Sequence, residues 1–563
     1  MLVTGYPAFA QKELMDSFAA RDSIDVTPRA SEDVTVRGSL DFPIRESVDS
    51  TVRGSVNIAA RKSLDQTIRA STDTRLEFKR TSMDSDKMSE IIEKEIDSGQ
   101  TTPVEEFLNW SGWYKWYLNM LGGLLGFVTT FASSAPSGYA TDILAKFHLD
   151  AELDALVISL FVMGFCVGPL LWAPLSEQYG RRPILIISFL GFTAFQIACP
   201  FATHFGAIAA FRFLGGVFSA STQPIAPAFA VDLWDDATRE KALIVQAILS
   251  FIGPTIGPLV SGYMAAANID WKWCFWMLTI MTGTCTLLII LTYPETYRPI
   301  LLTRKAKRLR KETGDVRYQA PLELVQSPKL SGRLHDTLAK PFIMFLLEPM
   351  LIATTMYLAF LGGCLYMLLE AYPVVFQEGY HFSSSTLALT YLPVTAGNFF
   401  ALALHLWVIQ PEYERKVKAY APNPVPPEER LWVAVWAAPL FAITFLWFGW
   451  TSFPTINFWV PMMSGFVMGC TMLLLMVAMF NYIVDVYAFA AASALSSSMA
   501  IRNVFGAVFP LFSTQMYRAL DPRWASTLVG CVAIVAIPIP IVLKRYGPAF
   551  RAKSRYHDPV RII

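Results

Sequence analysis

Five ionisable side chains fall inside long apolar stretches of this 563-residue sequence: Arg212, Glu348, Glu370, His405 and Arg502. A charge in such a setting costs at least about 2.5–3.5 kcal/mol on membrane-insertion scales, so each is a candidate for work the fold cannot do without. Proton exchange needs a group whose pKa can cross neutrality. Burial raises a carboxyl pKa and a nearby arginine lowers it, so a glutamate that faces first an arginine and then an apolar wall releases and takes up a proton. Glu370, in Glu370-Ala-Tyr-Pro373, is the preferred carboxyl; a water-exposed helix end is its competing reading. Arg212 is the preferred cation, flanked by Phe211 and Phe213 with Gly215 and Gly216 one turn on. It should face the bundle interior and meet a carboxylate, a carbonyl or water. Asp232 and Asp235 stay open as carriers, and His405 reads as an interfacial polar group.

A binding cavity among such residues should be large, apolar and aromatic with a few polar groups. Phe131, Tyr139, Gln223, Tyr357, Tyr366, Tyr391 and Phe399 are the candidate lining residues. Such a cavity would accept hydrophobic or amphipathic small molecules by burial, with little geometric demand. Polyamines fit less well, because cation specificity calls for more buried carboxylates than these spans contain.

The elements that must position these groups follow from composition. Hydrophobic residues make up 54% of the chain and charged ones 16%, against about a quarter charged in soluble domains. The charge is concentrated in residues 1–112. From Tyr114 to Leu543 twelve windows are long and apolar enough to cross a bilayer: 115–138, 154–176, 182–203, 206–230, 241–266, 273–294, 341–369, 383–409, 431–452, 456–480, 489–514 and 524–543. An all-α membrane protein is therefore expected. With the N-terminus inside, about 25 Lys and Arg fall on inner connections and about 4 on outer ones, which places both termini in the cytoplasm. The basic connection 295–340 splits the spans into six (113–294) and six (341–543), followed by a tail, 544–563. This is a layout in which two bundles can rock about a midplane site, although a channel or a membrane enzyme could share the number twelve. Residues 1–30 lack the apolar core of a cleavable signal, so the first span is expected to direct insertion. The seven cysteines show no CxxC or Cys/His spacing and read as small hydrophobes. The net charge of +1 gives no footprint for nucleic acid. With no P-loop, no HExxH and no nucleophile triad in the loops, neither enzyme chemistry nor a cofactor is expected.

Residues 21–76 repeat every eight positions, with Arg at 21, 29, 37, 45, 53, 61 and 69 and a serine two residues after each: Ser23, Ser31, Ser39, Ser47, Ser55, Ser63 and Ser71. The period matches neither helix nor heptad, and the segment lacks the bulk for a core, so a disordered tail is expected. It reads either as a solvated tether or as the target of a basic-directed kinase, each phosphate adding charge beside an arginine.

Seven motifs sit on particular spans and loops. Between spans two and three lies Ala173-Pro-Leu-Ser-Glu177-Gln-Tyr-Gly180-Arg181-Arg182-Pro, where the glycine allows a tight reversal and the basic pair anchors the surface. Span four carries Arg212-Phe-Leu-Gly215. Span five carries Gly253-Pro254-Thr-Ile-Gly257-Pro258, which removes two backbone donors and gives a smooth close-packing face. Trp271–Trp276, Pro294-Glu295-Thr296-Tyr297, Pro427-Glu-Glu-Arg430 and Ser493-Ala-Leu with Arg502 complete the set. Together, over about residues 105–545, they resemble the fungal twelve-span drug:proton antiporters of the major facilitator superfamily. Ala173 stands where that family has glycine, and Glu177 where it has aspartate. The resemblance implies a major facilitator fold in a plasma membrane, export of drugs, fungicides or a self-made toxin, a proton-coupling role for Arg212, and the antiporter signature in the Gly-Pro pairs. A narrower exporter of polyamines or another metabolite, and a transporter-like receptor signalling through its tail, are the alternatives.

Overall fold

The computed structural model describes residues 110–148, 154–234, 236–314, 318, 320, 323, 342–421, 423, 425–487, 491–552 and 554. The seven repeat serines and Asp235 lie outside them. Two units are distinguished. Pro103–Lys305 with Gln326–Ile563 holds every apolar helix, and Met1–Thr102 with Ala306–Val325 forms the other. In the second unit the described residues include an Arg310–Glu323 ion pair at 2.7 Å.

Among the described residues eleven helices are long and apolar enough to cross a membrane. They are span 1, Gly112–Tyr139; span 2, Ala155–Tyr179; span 3, Arg181–Phe201; span 4, Phe205–Leu233; span 5, Thr238–Ala266; span 6, Lys272–Thr292; span 7, Pro349–Gly379; span 8, Ser384–Tyr420; span 9, Pro427–Thr451; span 10, Trp459–Val486; and Ser493–Arg551. The last has 59 residues, about twice what one crossing needs. It breaks at Asp521, where φ is 66° just before Pro522, and so supplies spans 11 and 12. Ten plus two gives the twelve expected, six on each side of the central connection. No strand occurs among the described residues.

Two boundaries differ from expectation. The central connection opens with a helix, Arg298–Thr313, because its Lys, Arg and Leu run contains no breaker after Pro299. The final helix, Pro538–Arg551, continues past Leu543, since Lys544 and Arg545 suit a helix as well as a tail.

Prolines inside the spans explain much of the packing. A helical proline lacks the N–H that would bond the carbonyl four residues earlier, so that carbonyl needs another donor. Pro136 releases Ala132 O, which Arg212 Nη1 occupies at 2.7 Å. Pro169 releases Phe165 O, which accepts from Asn503 Nδ2 at 2.9 Å. Pro254 releases Ser250 O, taken by the Thr130 hydroxyl at 2.8 Å. Pro373 releases Leu369 O, taken by the Tyr391 hydroxyl at 3.1 Å. Each released carbonyl thus joins two helices by a hydrogen bond, fully buried in all but the part-buried Thr130 case.

Candidate functional site

At one end of the bundle, which carries Arg181 and Arg430, each half builds a cluster of charges. In the first half the chain reverses at Gly180, whose φ of +100° and lack of a Cβ are both required: a Cβ would stand 2.3 Å from Glu295 Oε2. Glu295 follows span 6. Its carboxylate accepts from the Arg181 and Arg182 backbone N–H groups at 3.0 and 3.2 Å, capping span 3 where the helix dipole favours an anion. Arg181 Nε meets Asp232 Oδ2, at the end of span 4, at 2.7 Å. The guanidinium of Arg181 lies 5.2 Å over the Tyr297 ring; burial pushes that phenol up, so the ring stays neutral beneath the cation. Arg182 Nη2 donates to Ile290 O at 2.8 Å. Glu177 is half-buried one turn before the reversal. Every partner named belongs to the first six spans or their loops.

The second half repeats the plan with one change. Arg430, opening span 9, bonds Asp485 near the end of span 10 through Nε and lies 4.1 Å over the Tyr413 ring. Glu428 takes Arg551 of the final helix in a two-point contact at 2.8 and 2.9 Å. Arg430 also reaches out of its own half: Nη1 is 3.0 Å from Glu240 Oε2 on span 5. Glu240 Oε1 lies 3.4 Å from His405 Nε2 and 3.4 Å from Asn481 Nδ2, and Lys241 pairs with Glu414 at 3.2 Å. His405, expected at an interface with water, is buried. This network closes the seam between the halves at the Arg430 end.

Uncharged groups hold the seam in the middle. The Ser133 and Tyr366 hydroxyls lie 3.2 Å apart, those of Thr255 and Thr395 2.7 Å, and Asn503 Nδ2 donates to Gln223 Oε1 at 3.0 Å. At the opposite end Gly262 of span 5 meets the start of span 8: a Cβ there would come within 2.9 Å of Ala388 Cβ. Arg212 lies just behind this seam. It is 1% exposed, donates to Val157 O, Ala132 O and Ser133 O at 3.0, 2.7 and 2.9 Å, and stacks 4.2 Å from the Phe161 ring. Carbonyls thus satisfy the guanidinium, the second of the three partners expected. Through Ser133, whose carbonyl it holds and whose hydroxyl meets Tyr366, it is one residue from the other half.

The span 5 motif has two working faces. Gly253 and Gly257 lie against the backbone of span 1, where a Cβ would come within 2.7 Å of Phe131 N and 2.9 Å of Ala135 N respectively. Thr255, between buried Pro254 and Pro258, turns to span 8. Of the seven expected cavity residues, Gln223 and Tyr366 bond across the seam. Phe131 and Tyr357 are buried in the packed interior. Tyr391 is held by Leu369 O and stacks on Tyr372 within the second half. Tyr139 is fully buried at the end of span 1, its hydroxyl with no hydrogen-bond partner among the described residues. Phe399 is 54% exposed, on the face of span 8 opposite Asn398 and Ala401. Glu370 is buried at 7% exposure and accepts from the Thr514 hydroxyl at 3.3 Å. Glu348 accepts from Tyr487 at 3.3 Å. Asn503, Glu240, Asp485 and Glu428 were not foreseen as site residues; the released carbonyl at Phe165 was the available clue to the first.

A sequence model of the Major Facilitator Superfamily matches residues 122–414. The chain belongs to that superfamily. Among its relatives, efflux pump FUBT of Fusarium oxysporum is 34% identical over 449 residues, covering 79% of this chain and 74% of the pump. The superfamily multidrug transporter mdrA of Aspergillus fumigatus is 34% identical over 452 residues, covering 80% and 74%. The solved proton:xylose symporter XylE superposes with a TM-score of 0.55 over 78% of this chain and 96% of its own at 14% identity, a likeness of fold alone. This superfamily member is thus a multi-pass membrane transporter and not an enzyme.

Proposed function

We propose that the chain exports hydrophobic or amphipathic small molecules across the plasma membrane in exchange for protons, by alternating access. The Arg430 end faces the cytoplasm, as the distribution of Lys and Arg favours. The observation that carries the reading is the Arg212 site. An arginine does not give up its proton, so Arg212 acts as a fixed cation whose carbonyl cage ends on Ser133, at the contact with Tyr366 of the opposite half. Movement of the halves must disturb that contact, so a proton arriving on a carboxyl of span 7, the span that carries Tyr366, is coupled to the opening of the seam. Glu370 is the candidate carrier, buried in span 7 on the Thr514 hydroxyl. The export direction draws on the antiporter signature of span 5 and on relatives that are themselves efflux and multidrug transporters.

The test is transport of rhodamine 6G in proteoliposomes with an imposed pH gradient. The wild type should accumulate dye only while the gradient lasts, and Arg212→Ala, which withdraws the cation, should lose at least about 90% of that flux while inserting normally. Gradient-independent accumulation, or full flux in the variant, would refute the coupling.

A further inference from the structure

Two arginines sit in the spans near the seam, and their surroundings differ. Arg212 spends its donors on three carbonyls. Arg502 of span 11 has one hydrogen bond among the described residues, from Nη2 to Oδ1 of the adjacent Asn503 at 3.5 Å. It passes its stem over Gly362, where a Cβ would meet its Cγ at 2.6 Å, and lies 5.7 Å from the Phe480 ring. No carboxylate among the described residues is within ion-pair distance of it. Part of its surface is open, in a region where most neighbours are sealed.

Beside it stand the seam amides. Asn503 gives one N–H to Phe165 O and one to Gln223 Oε1, both on the opposite half, and Tyr366 adds a hydroxyl. When the halves part, these two N–H groups lose their acceptors while Arg502 still has no anion. The opened surface then carries freed donors on Asn503, freed acceptors on Phe165 and Gln223, and one uncompensated positive charge next to an aromatic ring. A buried charge of this kind is retained where a ligand supplies the partner, and a guanidinium fork matches a carboxylate in two parallel hydrogen bonds.

We infer that Arg502, with Asn503 and Gln223, forms an acceptor-binding site for cargo, and that the cargo class it takes is a weak organic acid: a carboxylate on Arg502 with an apolar ring toward Phe480. The inference rests on the export reading above and narrows its substrates. Arg502 supplies charge and orientation, while Asn503 and Gln223 exchange their bond to each other for bonds to the ligand.

Binding of 2-naphthoate and of its neutral counterpart 2-naphthamide to the purified full-length protein at neutral pH tests this directly. The wild type should prefer the acid by at least tenfold. Arg502→Gln should reduce that preference to twofold or less, chiefly by weakening the acid, and Arg502→Lys should restore part of it. Equal binding of acid and amide by the wild type, a result that needs no variant, would overturn the inference, as would an undiminished preference in Arg502→Gln. Rhodamine 6G flux measured on the same preparation separates the two readings: acid preference without flux contradicts export and still supports the site, whereas flux without acid preference does the reverse.

Discussion

The charge clusters of the two halves use the same parts to different ends. Arg181 with Asp232 and Glu295, and Arg430 with Asp485, each tie the loop before a span to the end of a neighbour. The first cluster is complete within its own half. The second carries an extra bond, Arg430 to Glu240 of span 5, with His405 and Asn481 on the same carboxylate. One arrangement therefore stiffens a bundle, and the other holds two bundles together. A transporter that works by moving two rigid halves needs both kinds of bond, and the difference between them is where stability and conformational equilibrium should separate under mutation.

The largest effect should come from breaking the first cluster at its turn. Gly180→Ala places a Cβ against the Glu295 carboxylate at φ +100°, a strained geometry that should also pull the cap off span 3. A loss of more than about 2 kcal/mol is expected, read as a drop in monodisperse protein by size-exclusion chromatography. Gly253→Ala comes next, because the added methyl meets not only the Thr130 hydroxyl but also the Phe131 N and Phe127 O of the span 1 backbone, which cannot swing aside. About 1–3 kcal/mol of overpacking should lower the thermal midpoint while leaving the seam contacts in place.

Glu240→Gln should cost the folded halves little and the seam more. It removes the charge facing Arg430, which keeps Asp485, so the loss falls below the about 3–5 kcal/mol of a fully buried, unpartnered ion. The expected outcome is faster opening at the Arg430 end, measured as increased reactivity of groups along spans 5 and 10. At the bottom of the scale, Arg415→Ala should leave stability and transport unchanged within error. Its contact with Glu412 at 3.4 Å is on the surface, the arginine side chain being 80% exposed, and such pairs contribute little.

The sequence shows the architecture more clearly than the site, for physical reasons. Span length and basic asymmetry are set by the bilayer, so twelve crossings were readable, including the pair that the structure joins through Asp521. Gly180 and the Gly-Pro pairs were readable because only glycine and proline permit those geometries. The Glu240 network was not, since Glu240 and Asp485 look like ordinary polar residues at helix ends until spans 5, 8, 9 and 10 are packed together. The lining residues were hard to single out for the converse reason: aromatic residues are so frequent here that neither type nor spacing distinguishes a packed or outward ring from one at the seam. The prolines carried more information than their usual reading as kinks. Each of Pro136, Pro169, Pro254 and Pro373 marks a carbonyl four residues earlier that a side chain must come to meet, and two of those side chains, Arg212 and Asn503, lie at the candidate site.

Hydrogen–deuterium exchange on the full-length protein in nanodiscs, comparing wild type with Glu240→Gln and Glu295→Gln, tests most directly the division of labour between the clusters. Glu240→Gln should raise exchange along the seam on both halves at the Arg430 end with the thermal midpoint nearly unchanged, whereas Glu295→Gln should raise it only around residues 177–185 and lower the midpoint. The same local pattern from both substitutions, confined to one half, would contradict the account.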